Sequence, residues 1–393
     1  DCYWHVQEKG QLILFKNNPS SLKYSSKNTI IITAGGTGGH MYPAESLVGE
    51  FNKIGWNIIL ISDLRGGNFL NTFPNNIKVY TQNVISLNFK NPFFFIYSIY
   101  LLMKGILYSS YLLLLYKPSI VVGFGGYPTF PTIFSAKFLG FKVILHEGNA
   151  VLGKVNKFFS RKVDAIACGF WPTTAPNGSK LYFTGNPIRI NIISKKIKPF
   201  KFSSTGRLKI VVIGGSQGAT LFSKIIPESI SKLPISIKKR INIIHQARSL
   251  DCQNLKKNYE IIGINSEVKS FFHNIEDIFS DAHLIIARAG ASTISEVLFF
   301  GRPLILIPIR NAIFDHQKLN ASLLSNKEAA FCINEDECIN DYLTKKILEI
   351  LTDNKLAIKL SSNAKSMAVP DASVKLKEII LKNLNGELIE FKN

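Results

Sequence analysis

A glycine-rich hexad ending in histidine, Gly35-Gly36-Thr37-Gly38-Gly39-His40, follows the apolar run Thr29 to Thr33. A second loop, Gly214-Gly215-Ser216-Gln217-Gly218-Ala219, follows Ile210 to Ile213. Glycines at a strand-to-helix turn let backbone N–H groups approach a phosphate with no Cβ in the way, and the N-terminal end of the following helix adds positive charge. Taken singly, such loops also serve turn geometry alone. Present twice, they suggest two nucleotide-fold halves. Only the first ends in a side chain, His40, that titrates near neutral pH and can take a proton during a reaction.

Further polar groups gather where strands are expected to end, at Gly123-Phe124-Gly125-Gly126-Tyr127 and at His146-Glu147-Gly148-Asn149. Open α/β sheets bind ligands at the carboxyl ends of their strands. In the second half, Arg288-Ala289-Gly290-Ala291-Ser292-Thr293-Ile294-Ser295-Glu296 leaves a strand and enters a helix. Ser292 or Thr293 can cap that helix, and its exposed N–H groups can meet a diphosphate; the bland alternative for these hydroxyls is capping alone. Glu296, one turn in, could take both hydroxyls of a ribose; the bland alternative is a solvated helix-face glutamate.

These loops need parallel strands to hold them, and the pattern supplies βαβ units. In the first half, strands are expected at Ile30 to Ala34, Asn57 to Ser62, Ile77 to Tyr80, Ile120 to Gly123, Lys142 to His146, Ala165 to Cys168 and Leu181 to Thr184. A helix is expected from about Pro43 to Ile54. In the second half the expected strands are Ile210 to Ile213, Ile241 to His245, Ile261 to Ile264, Leu284 to Ala287 and Leu304 to Ile307, with helices between them and three more after Asp341. The fold class is therefore α/β, with two parallel sheets. Residues 1–28 read as a loosely ordered extension without a cleavable signal peptide, 29–193 as the first Rossmann-like domain and 194–207 as a polar, basic linker. Residues 208–368 read as the second domain and 369–393 as a C-terminal helical segment.

The segment Pro92 to Tyr116 is apolar apart from Lys104. Its length admits a membrane span. The competing readings are a pair of helical segments broken near Lys104-Gly105, exposing Phe93, Phe94, Phe95 and Tyr97 to a membrane surface, and a purely internal helix.

The 393 residues carry a net charge of +20, with 46% hydrophobic and 19% charged residues. That composition fits a globular protein drawn to polyanions. Lysines are spread thinly and no nucleic-acid-binding signature is present, so anionic lipid or a phosphorylated substrate is favoured over nucleic acid. The five cysteines share no C-x-x-C spacing, which fits a reducing compartment.

The ordered set GGTGGH (Gly35 to His40), GFGGY (Gly123 to Tyr127), HEGN (His146 to Asn149), GNPIR (Gly185 to Arg189), GGSQGA (Gly214 to Ala219), RAGASTISE (Arg288 to Glu296) and DHQKLNA (Asp315 to Ala321) resembles the MurG family, across roughly residues 29 to 385. The resemblance implies a GT-B glycosyltransferase with two Rossmann-like domains facing a cleft, the C-terminal helix returning to the first. It implies transfer of N-acetylglucosamine from UDP-N-acetylglucosamine to undecaprenyl-diphospho-N-acetylmuramoyl-pentapeptide, with inversion, at the cytoplasmic face of an inner membrane with anionic lipid. By motif position, Ser216, Ala291, Ser292, Thr293, Ile294, Ser295 and Glu296 meet the diphosphate and ribose. Phe272 lies by the uracil through its backbone, and Gln317 binds the sugar hydroxyls. Thr37, Gly38, Gly39, Asn149 and Arg189 line the cleft.

Inverting transfer needs a base on the acceptor hydroxyl and stabilisation of the charge growing on UDP. His40 is the first candidate base, against a reading as a helix-capping loop histidine; Glu147 is the second. No Asp-x-Asp pair lies near the loops, so neither a metal nor another cofactor is expected. The sequence departs from the family pattern at Ser86 to Lys90, at Gly148, where glutamine is usual, and at Arg310 to Phe314. Rival readings are a GT-B transferase for another lipid acceptor and a non-catalytic UDP-sugar-binding subunit. A dehydrogenase is disfavoured because no G-x-G-x-x-G is followed by the acidic residue that chemistry needs.

Overall fold

Isoleucine- and valine-rich strands with no polar face form the centre of both sheets. Thr29–Thr33 is buried along its whole length, as are Ile120–Gly123, Val143–Glu147 and Ala165–Cys168. Strands buried on both faces belong in a parallel sheet covered by helices on each side. The computed structural model describes residues 2–6, 12–16, 28–85, 91–214, 220–310, 315–339 and 341–387. Its first sheet has seven strands in the spatial order Lys78–Gln82, Asn57–Asp63, Thr29–Thr33, Ile120–Gly123, Val143–Glu147, Ala165–Cys168 and Leu181–Phe183, all parallel. The second has six, Asn265–Lys269, Ile241–Gln246, Leu208–Ile213, Leu284–Ala287, Leu304–Leu306 and Phe331–Cys332, also parallel. Both orders run outward from a first strand that lies inside the sheet, the doubly wound arrangement.

Each sheet separates two apolar cores. In the first sheet Ile30 and Ile32 pack with Met41, Leu47 and Phe51 on one face, while Ile31 packs with Leu112, Ile133 and Phe159 on the other. The Ala372–Asn385 helix returns to the first sheet: Leu376, Ile379 and Ile380 complete its core. Lys142 Nζ donates to the carbonyls of Asn383 and Leu384 at 2.7 and 3.2 Å, and Lys377 pairs with Glu50 at 2.8 Å. A cation at the last carbonyls of a helix complements its dipole.

Four local expectations need correction. Ile261 to Ile264 is no strand: the Cys252–Ile261 helix runs through its start, Gly263 turns at φ +72°, and the strand is Asn265–Lys269. That strand is at the sheet edge and has no fully buried position, so its apolar signal is weak. The first long helix is Gly38–Lys53, with Pro43 inside it rather than near its start. The chain from Pro92 to Tyr116 is one continuous helix, without a break at Lys104-Gly105. A Cβ on Gly105 would lie 3.1 Å from Pro131 Cγ, so this glycine admits the neighbouring Phe130–Phe138 helix rather than ending its own. Asn91 caps the helix through the amides of Phe93 and Phe94, and Ser98, Leu101, Gly105, Ser109, Leu112 and Leu113 form its buried side. Finally, Cys2–Val6 and Leu12–Lys16, to which no strand is assigned from sequence, pair antiparallel as a separate two-stranded sheet.

Candidate active site

Asp63, at the end of its strand and almost fully buried, shapes the first glycine loop. Its carboxylate accepts from the amides of Gly36 at 2.8 Å and Gly66 at 3.0 Å, and from Arg65 Nε at 2.9 Å. A Cβ on Gly35 would meet Asp63 Oδ1 at 2.6 Å, and Gly36 takes φ +86°, so both positions require glycine. A Cβ on Gly38 would strike the Tyr42 ring at 2.8 Å. The side of Thr37 is exposed and makes no cap to the helix it precedes.

His40 is half-buried against Gly126, whose added Cβ would come within 3.1 Å of the imidazole. Its Nδ1 lies 3.1 Å from the Gly35 carbonyl oxygen. A carbonyl only accepts, so Nδ1 carries the proton in the neutral ring and Nε2 keeps a lone pair. Burial pushes this imidazole below its ordinary pKa of 6.5, partly offset by the Gly35 carbonyl and the charges of Glu147 and Asp63. The ring is therefore neutral and basic at neutral pH. His146, pushed down to about 3 by burial, packs on Phe124 as a core residue.

Glu147 has a different character. One oxygen accepts from the backbone and side-chain nitrogens of Asn149, each at 3.0 Å, and the other from Gly153 N at 2.8 Å and Asn156 Nδ2 at 2.9 Å. Four donors on a buried carboxylate make it the brace of its own turn. Asn149 is thereby held toward the second domain, where its Oδ1 accepts from Asn320 Nδ2 at 3.1 Å. Asn320, fully buried, also donates to the Ala289 carbonyl and accepts from Ala150 N at 2.8 Å. One carboxamide ties the HEGN turn to the RAGAS loop.

Two more contacts cross the cleft. Ser292 Oγ donates to the Gly39 carbonyl at 3.3 Å. Pro43 explains why that carbonyl is available: four residues on, it has no N–H to give. Neither Ser292 nor Thr293, either of which could cap the Ala291–Phe300 helix by its type, does so; Gly290 is the N-cap and offers no side chain. Arg189 meets Glu296 in a bidentate pair, Nε to Oε1 and Nη2 to Oε2, both 2.7 Å, with the guanidinium 4.7 Å above the Tyr42 ring. Glu296 is buried, at 6% exposure, not a solvated helix-face residue.

The remaining candidates spread around this centre. Ala291, Thr293 and Ser295 are partly exposed in the first turns of the helix, Ser295 Oγ donating to the Ala291 carbonyl, while the Ile294 side chain is core. Phe272 is buried in the second domain's core with Lys269 over its ring. Gln317 Oε1 accepts from Ile309 N at 3.1 Å. Ser216, residues 86–90 and residues 311–314 lie outside the described residues. Sequence reasoning missed Asp63, Tyr42 and Asn320. Asn320 stood inside a quoted block, but its partners come from two distant loops.

The comparisons with known proteins match this arrangement. The glycosyltransferase family 28 N-terminal domain matches residues 30–168 and the family 28 C-terminal domain residues 209–376. The chain is 37% identical over 369 residues, 93% of its length and 98% of the relative's, to the UDP-N-acetylglucosamine--N-acetylmuramyl-(pentapeptide) pyrophosphoryl-undecaprenol N-acetylglucosamine transferase of Chelativorans sp. (strain BNC1). It superposes on the crystal structure of Acinetobacter baumannii MurG with a TM-score of 0.73 at 25% identity, covering 90% of this chain and 99% of that one. The chain belongs to the MurG family. The same-named protein of Brucella canis (strain ATCC 23365 / NCTC 10854 / RM-666) is 34% identical over 94% of this chain and 98% of its own. The calicheamicin glycosyltransferase CalG4, 9% identical with a TM-score of 0.62 over 91% of this chain and 98% of that one, shares the fold. The MurG family thus accounts for both the two-domain GT-B architecture and the hexosyltransferase class of this chain.

Proposed function

We propose that this chain transfers N-acetylglucosamine from UDP-N-acetylglucosamine to the muramoyl 4-hydroxyl of undecaprenyl-diphospho-N-acetylmuramoyl-pentapeptide, inverting the anomeric carbon and releasing UDP. The observation that carries the reading is the hydrogen bond between Ser292 Oγ and the Gly39 carbonyl, 3.3 Å. It brings the His40 loop to the helix start at which a diphosphate would sit.

In this reading the acceptor enters against the first domain and the donor against the second. His40 Nε2 takes the acceptor proton as the hydroxyl oxygen bonds to the anomeric carbon. The bond from that carbon to the β-phosphate oxygen breaks, and its electron pair leaves with UDP. Amides of the Ala291–Phe300 helix start, with Ser216 and Arg189, meet that charge. Glu296 takes the ribose hydroxyls, the Phe272 backbone meets the uracil, and Gln317 meets the sugar. Thr37, Gly38, Gly39 and Asn149 line the space between, and Glu147 positions Asn149 rather than taking the proton. The test is acceptor-dependent UDP release with the matching disaccharide-lipid detected by mass spectrometry. UDP-sugar binding without turnover would favour another acceptor or a non-catalytic subunit.

The Pro92–Tyr116 helix supports a peripheral seat on an anionic membrane. It is long and apolar enough to cross one, yet one side is packed into the protein, and Phe93, Ile96 and Leu107 are 81%, 65% and 67% exposed on the other. A face of this kind lies in the interface with its basic neighbours toward lipid headgroups. Replacing Phe93, Phe94 and Phe95 with serine is expected to release the protein from sedimented anionic vesicles while turnover on a detergent-soluble acceptor persists. Unchanged co-sedimentation would count against the membrane seat.

A further inference from the structure

Three arginines follow the carboxyl ends of strands in the two sheets, and they differ in what they hold free. Arg189 engages Glu296 through Nε and Nη2. Arg288 directs Nη1 to the carbonyls of Ile307 and Pro308, at 3.0 and 3.2 Å, and to Glu335 at 2.6 Å. Arg65 is bound through Nε alone, to Asp63 at 2.9 Å, and its side chain is 66% exposed. Among the described residues its two Nη groups have no hydrogen-bond partner.

That fork has a fixed place. Asp63 is itself held by the amides of Gly36 and Gly66, and Arg65 Nη2 lies 3.5 Å from where a Cβ on Gly36 would stand. The missing side chain therefore admits the guanidinium over the first glycine loop. The Gly36 amide already donates to Asp63, so it is not free for a phosphate, and the guanidinium is the cationic donor on that part of the loop. Thr29–Thr33 and Asn57–Asp63 are adjacent parallel strands, so Arg65 and His40 leave the sheet at the same end. Both pack on one loop, His40 through the Gly35 carbonyl and Arg65 over Gly36.

We propose that Arg65 is a binding residue for the acceptor, its free Nη groups taking an oxyanion of the molecule whose hydroxyl faces His40. This rests on the reading that the acceptor enters against the first domain. Two parts of that acceptor carry the chemistry, the diphosphate and the peptide carboxylates. Each presents oxygens that a planar guanidinium meets with charge-assisted hydrogen bonds. A lysine would supply the charge without the fork. The donor diphosphate is assigned elsewhere, to the Ala291–Phe300 helix start in the second domain.

The test is steady-state turnover of the full chain at saturating donor with the acceptor varied, for the unaltered protein, Arg65→Gln and Arg65→Lys. Asp63 keeps its two amide donors in both variants, so the loop is expected to hold. Expected in Arg65→Gln is an acceptor KM about tenfold higher, the order expected for a lost hydrogen bond to a charged group, with a smaller fall in kcat. The donor KM and the Kd for UDP should stay within about twofold, and Arg65→Lys should recover part of the loss. Two probes separate the sources. If the diphosphate is the ligand, inhibition by inorganic pyrophosphate, competitive with the acceptor, weakens in parallel in Arg65→Gln. If the peptide is, pyrophosphate acts alike on both proteins, and an acceptor with amidated peptide carboxylates gives them the same KM. An acceptor KM in Arg65→Gln within about twofold of the unaltered value overturns the proposal, as does a rise that neither probe reproduces. Equal rises in donor and acceptor KM also overturn it, making Arg65 a support of the glycine loop. Absence of acceptor-dependent UDP release from the unaltered protein is a separate failure, that of the transfer reading itself.

Discussion

His40→Ala is expected to lower kcat by about 10²- to 10⁴-fold, the usual contribution of a positioned general base, while the Kd for UDP stays within about twofold. The separation follows from placement: His40 belongs to the first domain's loop, and its Nδ1 is bound to the Gly35 carbonyl rather than to any group proposed for the nucleotide. Burial holds the imidazole below 6.5, so the neutral form persists into mildly acidic solution. In the unaltered enzyme kcat should fall on the acid side with a midpoint below 6.5, as Nε2 gains a proton, and His40→Ala should lose that limb. Rapid-quench turnover against pH, beside UDP titration, separates the roles. A parallel loss of UDP binding would make His40 a structural part of the loop.

Glu296→Ala is expected to weaken UDP by about 10- to 100-fold, since a hydrogen bond to a charged group contributes about 1.5–3 kcal/mol. It is also expected to destabilise the protein, because Arg189 is left buried over Tyr42 without its bidentate partner. Removing one member of a buried pair costs about 3–5 kcal/mol. The two effects are distinguishable: adding Arg189→Ala should restore much of the thermal stability without restoring the affinity. A Glu296→Ala protein that melts early yet binds UDP normally would assign the carboxylate to the interdomain pair alone.

How far the chain could be read in advance depended on the range of the interactions involved. Continuous isoleucine and valine runs located the central strands because a strand buried on both faces has no other composition. The Asn265–Lys269 strand escaped that logic at the sheet edge. The expected break at Gly105 applied a local rule to a glycine whose reason is Pro131, a residue from another helix. Local reading likewise allowed Ser292 or Thr293 as a cap, but the Ser292 hydroxyl finds a carbonyl freed by Pro43 in the other domain.

By itself, then, the sequence determined the two parallel sheets, the loops at their carboxyl ends and the family, all of which depend on short-range patterning and motif order. Only the tertiary structure decided the state of each functional group. It set His40 on the Gly35 carbonyl with a free Nε2, saturated Glu147 with four donors, and joined Asn149 to Asn320. It paired Arg189 with Glu296 above the Tyr42 ring. Protonation and hydrogen-bond occupancy are set by whichever groups lie within a few ångströms, and here those groups come from opposite sides of a cleft.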